Sequence, residues 1–321
     1  MLRRVLADSL FLHAITLAKA RRTRHARLQF ALSARLARPT ASSLYAAALA
    51  LEHAGERDGA VRYCEEALAL NPKLTQAHEL LTGMFMHGEH YAQVLGRMHE
   101  HLRPRTYIEI GVAEGTSIRL VQPGTAALGV DPEPKIAFAL PQNVRVFAET
   151  SDDFFARRDV RAELGAMPVE LAFIDGMHHF EYALRDFMNL ERLCMPSSTI
   201  LVHDCFPHDR RTAQRERETL FWSGDIWRLV LLLKKHRPDL SIHTIATPPT
   251  GLVVIRKLDP SSNFIAENLD DLCEEFMRLD YGILNKDRAG KLNLFPNEWS
   301  GIRALLDAPA ARLSGAARNT P

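Results

Sequence analysis

The chain has 321 residues, 46% hydrophobic and 25% charged, with a formal net charge of +1. That composition excludes a disordered chain, and the length favours two domains over one. Four cysteines (Cys64, Cys194, Cys205, Cys273) without a C-x-x-C pair exclude a zinc finger and fit a reducing compartment, and no apolar run reaches the roughly 18 residues of a membrane span.

Residues 1–40 hold nine Lys or Arg (Arg3, Arg4, Lys19, Arg21, Arg22, Arg24, Arg27, Arg35, Arg38) against Asp8 alone, a local net of +8. Such an end either contacts an acidic partner or membrane surface, or is simply a solvated helix face. The opening MLRRVLADSLFLHAITLAKA is interrupted by Asp8, His13 and Lys19 and shows no small-residue cleavage site. It reads as an amphipathic helix rather than a signal peptide, so a cytoplasmic location is expected.

Residues 1–100 carry no convincing strand signal. With Ala41 as the first position of a unit, Ala60, Ala67 and Pro72 fall on positions 20, 27 and 32, and Ala26, Phe30 and Pro39 echo the pattern upstream. Those positions resemble a tetratricopeptide repeat, which needs small residues for close helix packing and a helix stop there. An all-α helical-repeat domain over 1–100 is expected, serving a protein partner or self-association, or acting as a helical cap without a ligand.

From Thr106 the pattern becomes α/β. Strand candidates are YIEIG (107–111), ALGVD (127–131), VRVFAE (144–149), VELAFID (169–175) and TILVHD (199–204). Amphipathic helical stretches lie between them, the clearest being HHFEYALRDFMNLERL with its stripe of Phe180, Leu184, Phe187, Leu190 and Leu193. Alternation of this kind predicts a parallel sheet with right-handed crossovers. After the helix DIWRLVLLLKKHRPDL, the strands SIHTIAT and GLVVIRK joined by PPTG predict a hairpin, hence a terminal antiparallel strand. The expectation is a Rossmann-like seven-stranded sheet over 101–260, then a helical extension over 261–321 ending in a frayed ARLSGAARNTP.

The loop after the first strand, EIGVAEGTS, places Gly111 and Gly115 just past Glu109. It lacks the G-x-G-x-x-G spacing of a nicotinamide site and the Lys of a P-loop, leaving E-x-G-x-A-x-G, with Asp131 closing the second strand. EIGVAEGTS, GVDPEP, FIDGMHHFEYALRDF and ILVHDC, in that order, resemble the motifs of class I S-adenosylmethionine-dependent methyltransferases over about residues 95–260. The resemblance implies a cofactor set of Glu109, Gly111, Gly115, Asp131, Ser151, Asp152 and Asp175. The glycines would pass under the amino-acid end, Asp131 would hold the ribose, and Ser151 and Asp152 would meet the adenine. Each of the last three is also placed to cap a helix.

On the acceptor side, Asp175 and Asp204 end the fourth and fifth strands, an arrangement that suits a divalent ion. DGMHHFE (175–181) resembles the D-G-x-H-x-Y/F-E motif of a subgroup including macrocin-type sugar O-methyltransferases and cephalosporin-hydroxylase-like proteins. The resemblance implies His178 as general base, or else as a structural residue of its loop. His203 stands where those relatives carry an acid, so the metal set is Asp175, His203 and Asp204, with Mn²⁺ favoured over Mg²⁺. His179 reads as an exposed or capping neighbour, and Glu181 as an orienter of a histidine or a helix-start carboxylate. The long stretch 205–230 is a lid candidate, with Phe221, Trp222 and Trp227 lining an acceptor pocket or forming core, and Asp225 bonding a hydroxyl. The expected activity is methyl transfer to a hydroxyl of a small molecule or sugar. The alternatives are hydroxylase-like chemistry on the same fold, or a non-catalytic repeat-containing adaptor. Nucleic acid is not expected, because the basic residues lack interleaved aromatics.

Overall fold

The structure, a computed structural model, describes residues 2–219 and 221–309. Two compact units result: the chain up to His87 together with His208–Trp222, and Gly88–Pro207 together with the chain from Ser223 onward.

The first unit holds helices α1 (Leu2–Lys19), α2 (Thr23–Leu36), α3 (Ala41–His53), α4 (Arg57–Leu70) and α5 (Thr75–Phe85). Loops of three or four residues join them, so successive helices fold back as hairpins. Helices α1 and α2 approach through small buried residues, Ala7, Ala14 and Ala18 on one and Ala26 and Ser33 on the other, and Ser33 Oγ donates to Ala7 O at 2.8 Å. Thr40 and Ser43 cap α3 reciprocally. Ala60 and Ala67 of α4 are fully buried, at the positions where the sequence pattern calls for small residues, and Cys64 between them is buried as well. The described residues of 208–222 contain no helix or strand. They lie against this unit's helices through Phe221, stacked on His78 at 5.3 Å, and Arg211, which donates to Ala69 O at 3.4 Å. The central part of the lid candidate is therefore tied to α4 and α5.

The second unit begins with α6 (Tyr91–Leu102), followed by β1 (Thr106–Ile110), β2 (Ala126–Val130), β3 (Val144–Phe147), α7 (Ser151–Arg157), α8 (Val160–Glu163), β4 (Val169–Ile174), α9 (Phe180–Leu193) and β5 (Cys194–His203). Next come α10 (Trp227–His236), β6 (Ser241–Ile245), β7 (Leu252–Arg256), α11 (Phe264–Glu267), α12 (Leu269–Met277), α13 (Arg288–Lys291), β8 (Leu294–Phe295) and α14 (Trp299–Asp307). The strands form one sheet in the order β3-β2-β1-β4-β5-β7-β6-β8. Strands β1 to β5 pair parallel, and β7 runs antiparallel between β5 and β6. The seven expected strands are present, and β8 adds a short eighth beside β6.

Burial explains why the central strands β1, β4 and β7 do not alternate between polar and apolar residues. All five residues of β1 are buried, as in a parallel sheet covered on its faces by helices. Val94, Leu95 and Met98 of α6, with Ile302 and Leu306 of α14, join Tyr107, Phe173 and Leu201 of the strands in one cluster. Burying each such side chain contributes about 1.5–3 kcal/mol. Helix α6 thus packs with the sheet although it falls within the expected helical domain, and α14 makes the C-terminal extension part of the same core. The stretch ARLSGAARNTP lies outside the described residues.

Candidate functional site

The order in which successive strands are added reverses between the parallel neighbours β1 and β4, and at such a switch point the loops after the strands part to leave a crevice. One side of it is the loop after β1. Gly111 has φ +88, and a Cβ built there would lie 2.0 Å from the carbonyl oxygen of Asp175. The close approach that demands this glycine is therefore to the loop after β4, so Gly111 seats the two loops against each other. Gly115 packs under Phe138 and Ile136.

Asp131, after β2, holds the glycine loop. Its Oδ2 accepts from the backbone N–H groups of Val112 (2.9 Å) and Ala113 (2.8 Å), and its Oδ1 accepts from Glu133 N at 2.8 Å. A carboxylate offers about four acceptor directions, so roughly one remains for a ligand. Glu109 lies beneath the loop, fully buried, accepting from Tyr107 Oη (2.7 Å) and Ser117 Oγ (2.6 Å). Burial raises its pKa to about 8, and those hydrogen bonds offset only part of the shift. Its two oxygens are taken up by the protein, so it supports the loop from below.

After β4 and β5, four titratable side chains close a ring. Asp175 Oδ1 lies 3.4 Å from His178 Nε2 and 3.2 Å from His203 Nδ1. Asp204 Oδ2 lies 3.1 Å from His178 Nε2 and 3.3 Å from His203 Nδ1. Carboxylate and imidazole alternate around the ring, so every neighbour carries the opposite charge. Burial alone would push both imidazoles down, but the carboxylates outweigh it and raise His178 to about 9 and His203 to about 10. Burial likewise opposes ionisation of Asp175 and Asp204, and the two imidazoles overcome it, holding both below the ordinary carboxylate range. Two positive and two negative groups make the ring neutral. Donor atoms of Asp175, His178 and Asp204 all converge within 4.8 Å of one another, whereas His203 lies outside that convergent set. A divalent cation carries the charge of the two imidazole protons, so the donor set fits one in both geometry and charge.

Local backbone conformation aims these groups. Eight non-glycine residues among the described ones have positive φ, and Ala113, His178 and Asp204 are three of them. Each such residue costs about 1–3 kcal/mol, so surrounding contacts must fix them. For His178 the fixing element is the turn before α10. Gly224, at φ +61, comes so close that a Cβ would sit 1.9 Å from His178 O, and Asp225 N donates to the same oxygen at 3.2 Å. Asp225 Oδ1 accepts from Phe180 N at 2.7 Å, capping α9 from a distant part of the chain, and Asp225 is fully buried. It caps that helix rather than facing an open pocket, and Trp227 beside it is fully buried core. His179 stands at the N-cap position, where its side chain makes no capping hydrogen bond, and Glu181 lies in the helix's first turn. For Asp204 the fixing element is the β6–β7 loop, where the Thr250 hydroxyl donates to Asp204 Oδ1 and Thr250 O accepts from Phe206 N at 2.8 Å.

At the far end of the row, Thr150 is the N-cap of α7, so Ser151 and Asp152 occupy its first turn. Arg185 grips Asp152 with two bonds of 2.8 and 2.7 Å. Ser151 bonds Asp186, a buried carboxyl that burial raises to about 7 and whose Oδ1 has no partner among the described residues. Three residues near the row escaped sequence reasoning: Asp186, Thr250, and Tyr91, whose ring lies 3.9 Å from that of His203. A buried acid on the apolar stripe of α9 was the one readable signal, at Asp186.

No curated protein matches the chain. The chain is similar to the O-methyltransferase TomG from Streptomyces achromogenes, involved in tomaymycin synthesis and solved with SAM, at 16% identity and TM-score 0.41, covering 52% of this chain and 78% of that one. It is also similar to an O-methyltransferase from Bacillus cereus solved with SAH, at 14% identity and TM-score 0.39, covering 60% and 95%. Likeness at that level does not decide between chemistries. Residues 108–205 match a family model described as a methyltransferase domain, a stretch that contains Gly111, Asp131, Asp175, His178 and Asp204.

Proposed function

We propose that the sheet unit is an S-adenosylmethionine-dependent methyltransferase acting on a hydroxyl of a small molecule or sugar. The observation that carries this reading is a row. Ser151, Asp131, Gly111, Asp175 and Asp204 follow the carboxyl ends of β3, β2, β1, β4 and β5, which are five adjacent strands in sheet order. At about 4.8 Å per strand the row spans about 19 Å, room for an extended nucleoside with an acceptor at one end. The Gly111 loop would receive the amino-acid end and the free direction of Asp131 a ribose hydroxyl, with Ser151 and Asp152 at the adenine end. S-adenosylmethionine supplies a methyl group already activated as a sulfonium. The protein's part is to align the acceptor and remove its proton.

At the acceptor end, Asp175, His178 and Asp204 would hold Mg²⁺ or Mn²⁺, with His203 bracing both carboxylates from the buried side. Such an ion supplies Lewis acidity that makes a bound hydroxyl easier to ionise. A second reading keeps the ring free of metal and uses His178 as the base. Its side chain is 21% exposed against 6% for His203, so it is the imidazole an acceptor can reach. Activity would then climb with pH toward about 9, where His178 loses its proton.

Calorimetry with S-adenosylhomocysteine tests the cofactor. Wild-type protein should bind it and Asp131→Ala should bind it more weakly. Absence of binding to the wild type overturns the methyltransferase reading. Exhaustive chelation separates the two acceptor-side readings: loss of turnover with cofactor binding retained supports the metal, and full activity supports His178 as the base. For the helical unit, we read α3 and α4 as a tetratricopeptide-like repeat serving a protein partner or self-association, because Ala60 and Ala67 are buried at the repeat's small-residue positions.

A further inference from the structure

Helix α9 buries two carboxyl groups, Asp186 and Glu191, both 3% exposed. Their surroundings differ. Glu191 is met by the Arg237 fork through two bonds of 2.8 Å and by Asp259 N at 3.1 Å, so its charge is paired where it is buried. Asp186 has no such partner. The charged groups that face it are Asp152 from α7 and Arg185 from its own helix, and these two are committed to each other by the bonds of 2.8 and 2.7 Å. Ser151 bonds the Asp186 carboxyl, yet Oδ1 has no partner among the described residues. An unpaired buried oxygen costs far less as the carbonyl of a neutral acid than as half of a carboxylate. The geometry therefore calls for the acid form, in keeping with a pKa that burial lifts to about 7.

We infer that Asp186 is a positioning residue for the cofactor's base, acting through the Ser151 hydroxyl. A hydroxyl carries one proton, so what Asp186 offers Ser151 decides what Ser151 offers a ligand. As an acid, Asp186 donates to Ser151 Oγ and leaves the Ser151 proton free to donate outward. As a carboxylate it takes that proton, and Ser151 turns only lone pairs outward. Ser151 is half-buried and the Asp152 side chain beside it is 43% exposed, so both can meet a ligand. An adenine edge pairs an amine that donates with a ring nitrogen that accepts. Asp152 keeps acceptor directions beyond the two taken by Arg185 and suits the amine, while a donating Ser151 suits the ring nitrogen. The acid form of Asp186 thus completes an adenine site, and its ionisation sets lone pair against lone pair. The inference rests on the methyltransferase reading, which puts the cofactor's adenine at Ser151 and Asp152.

The test is calorimetry of S-adenosylhomocysteine binding to the full chain across neutral pH. Affinity of the wild type should fall about 5–10-fold as pH rises through about 7, the worth of one hydrogen bond lost with the Asp186 proton. Asp186→Asn keeps a donor toward Ser151 without an ionisable group, so it should hold the low-pH affinity and lose that step. Glu109, raised to about 8, titrates in both proteins and cancels in the comparison. Ser151→Ala should bind about 5–10-fold more weakly at low pH and also lose the step, and adding Asp186→Asn to it should change nothing further. An Asp186 that only ties α9 to α7 would weaken binding equally at every pH, with or without the Ser151 hydroxyl. One pH profile shared by wild type and Asp186→Asn overturns the inference, as does a further loss in the double variant. A wild type that binds S-adenosylhomocysteine at no pH overturns the methyltransferase reading itself, and this inference with it.

Discussion

Gly111→Ala gives the most direct test of the site's construction. The substitution asks alanine to adopt φ +88, which costs roughly 1–2 kcal/mol in an L-residue. It also puts a methyl 2.0 Å from Asp175 O, 2.4 Å from Asp175 C and 2.8 Å from Gly176 Cα, all backbone atoms that no rotamer change can move. Relief to an ordinary contact requires the loops after β1 and β4 to separate by more than about 1 Å. Crowding of this kind costs about 1–3 kcal/mol. The sum, about 2–5 kcal/mol, should appear as a lower urea midpoint with an unchanged slope. Because the separation moves Asp175, a catalytic rate that depends on that carboxylate should fall about 100-fold even where the protein stays folded. Equilibrium unfolding followed by single-turnover methyl transfer reads both effects. A variant with the wild-type midpoint and rate would show that the two loops do not meet as described.

Four further outcomes follow from the same geometry. Gly224→Ala, whose Cβ would meet His178 O at 1.9 Å, should weaken Mn²⁺ binding more than S-adenosylhomocysteine binding; equal losses in calorimetry would argue against its link to His178. Thr250→Val removes the hydroxyl that Asp204 accepts from and should lower metal affinity about 10–100-fold, with Thr250→Ser retaining most of it. Because the carboxylates raise His178 and His203 to about 9 and about 10, both imidazoles hold protons at neutral pH, so Mn²⁺ binding should release protons and tighten from pH 7 to 9; identical heats in buffers of different ionisation enthalpy would refute this. For Glu109, the folded pKa of about 8 lies above the unfolded value of about 4.5, so the native state binds the extra proton between them and stability falls as pH rises through that window. Glu109→Gln should flatten that dependence, and an unchanged pH profile of the urea midpoint would rule Glu109 out as its source.

The sheet was legible because both its signals are local. Apolar runs such as VELAFI and LVVIR mark buried strands, and the helix stripes between the first five strands fix the crossovers. Strand ends were legible too, which is why Asp131, Asp175 and Asp204 could be named from position alone. What each carboxylate touches was not. Asp131 follows a strand in sequence, but its Oδ2 is taken by loop amides roughly twenty residues upstream. Asp225 reads as a free hydroxyl-binder from its neighbours, and becomes the cap of a helix that begins 45 positions earlier. Thr250 and Tyr91 reach the ring from a hairpin loop and from a helix before the first strand, and no spacing rule joins them to DGMHHFE.

Those long-range contacts share one cause. In the order β3-β2-β1-β4-β5-β7-β6, strand β7 returns antiparallel beside β5, so the turn leading into it arrives at the carboxyl end where Asp204 sits. Register then decides the rest: His203 pairs with Leu252, which sets Thr250 two residues before the paired position and beside Asp204. The same return brings Pro248 O to accept from Tyr91 N at 3.1 Å, fixing the start of α6 next to His203. One antiparallel strand therefore supplies two of the three elements that hold the carboxylate–imidazole ring, and the turn at Gly224 supplies the third. Shifting β7 by one residue against β5 would reverse which side chains face the ring and detach Thr250 from Asp204 without removing any residue of the row.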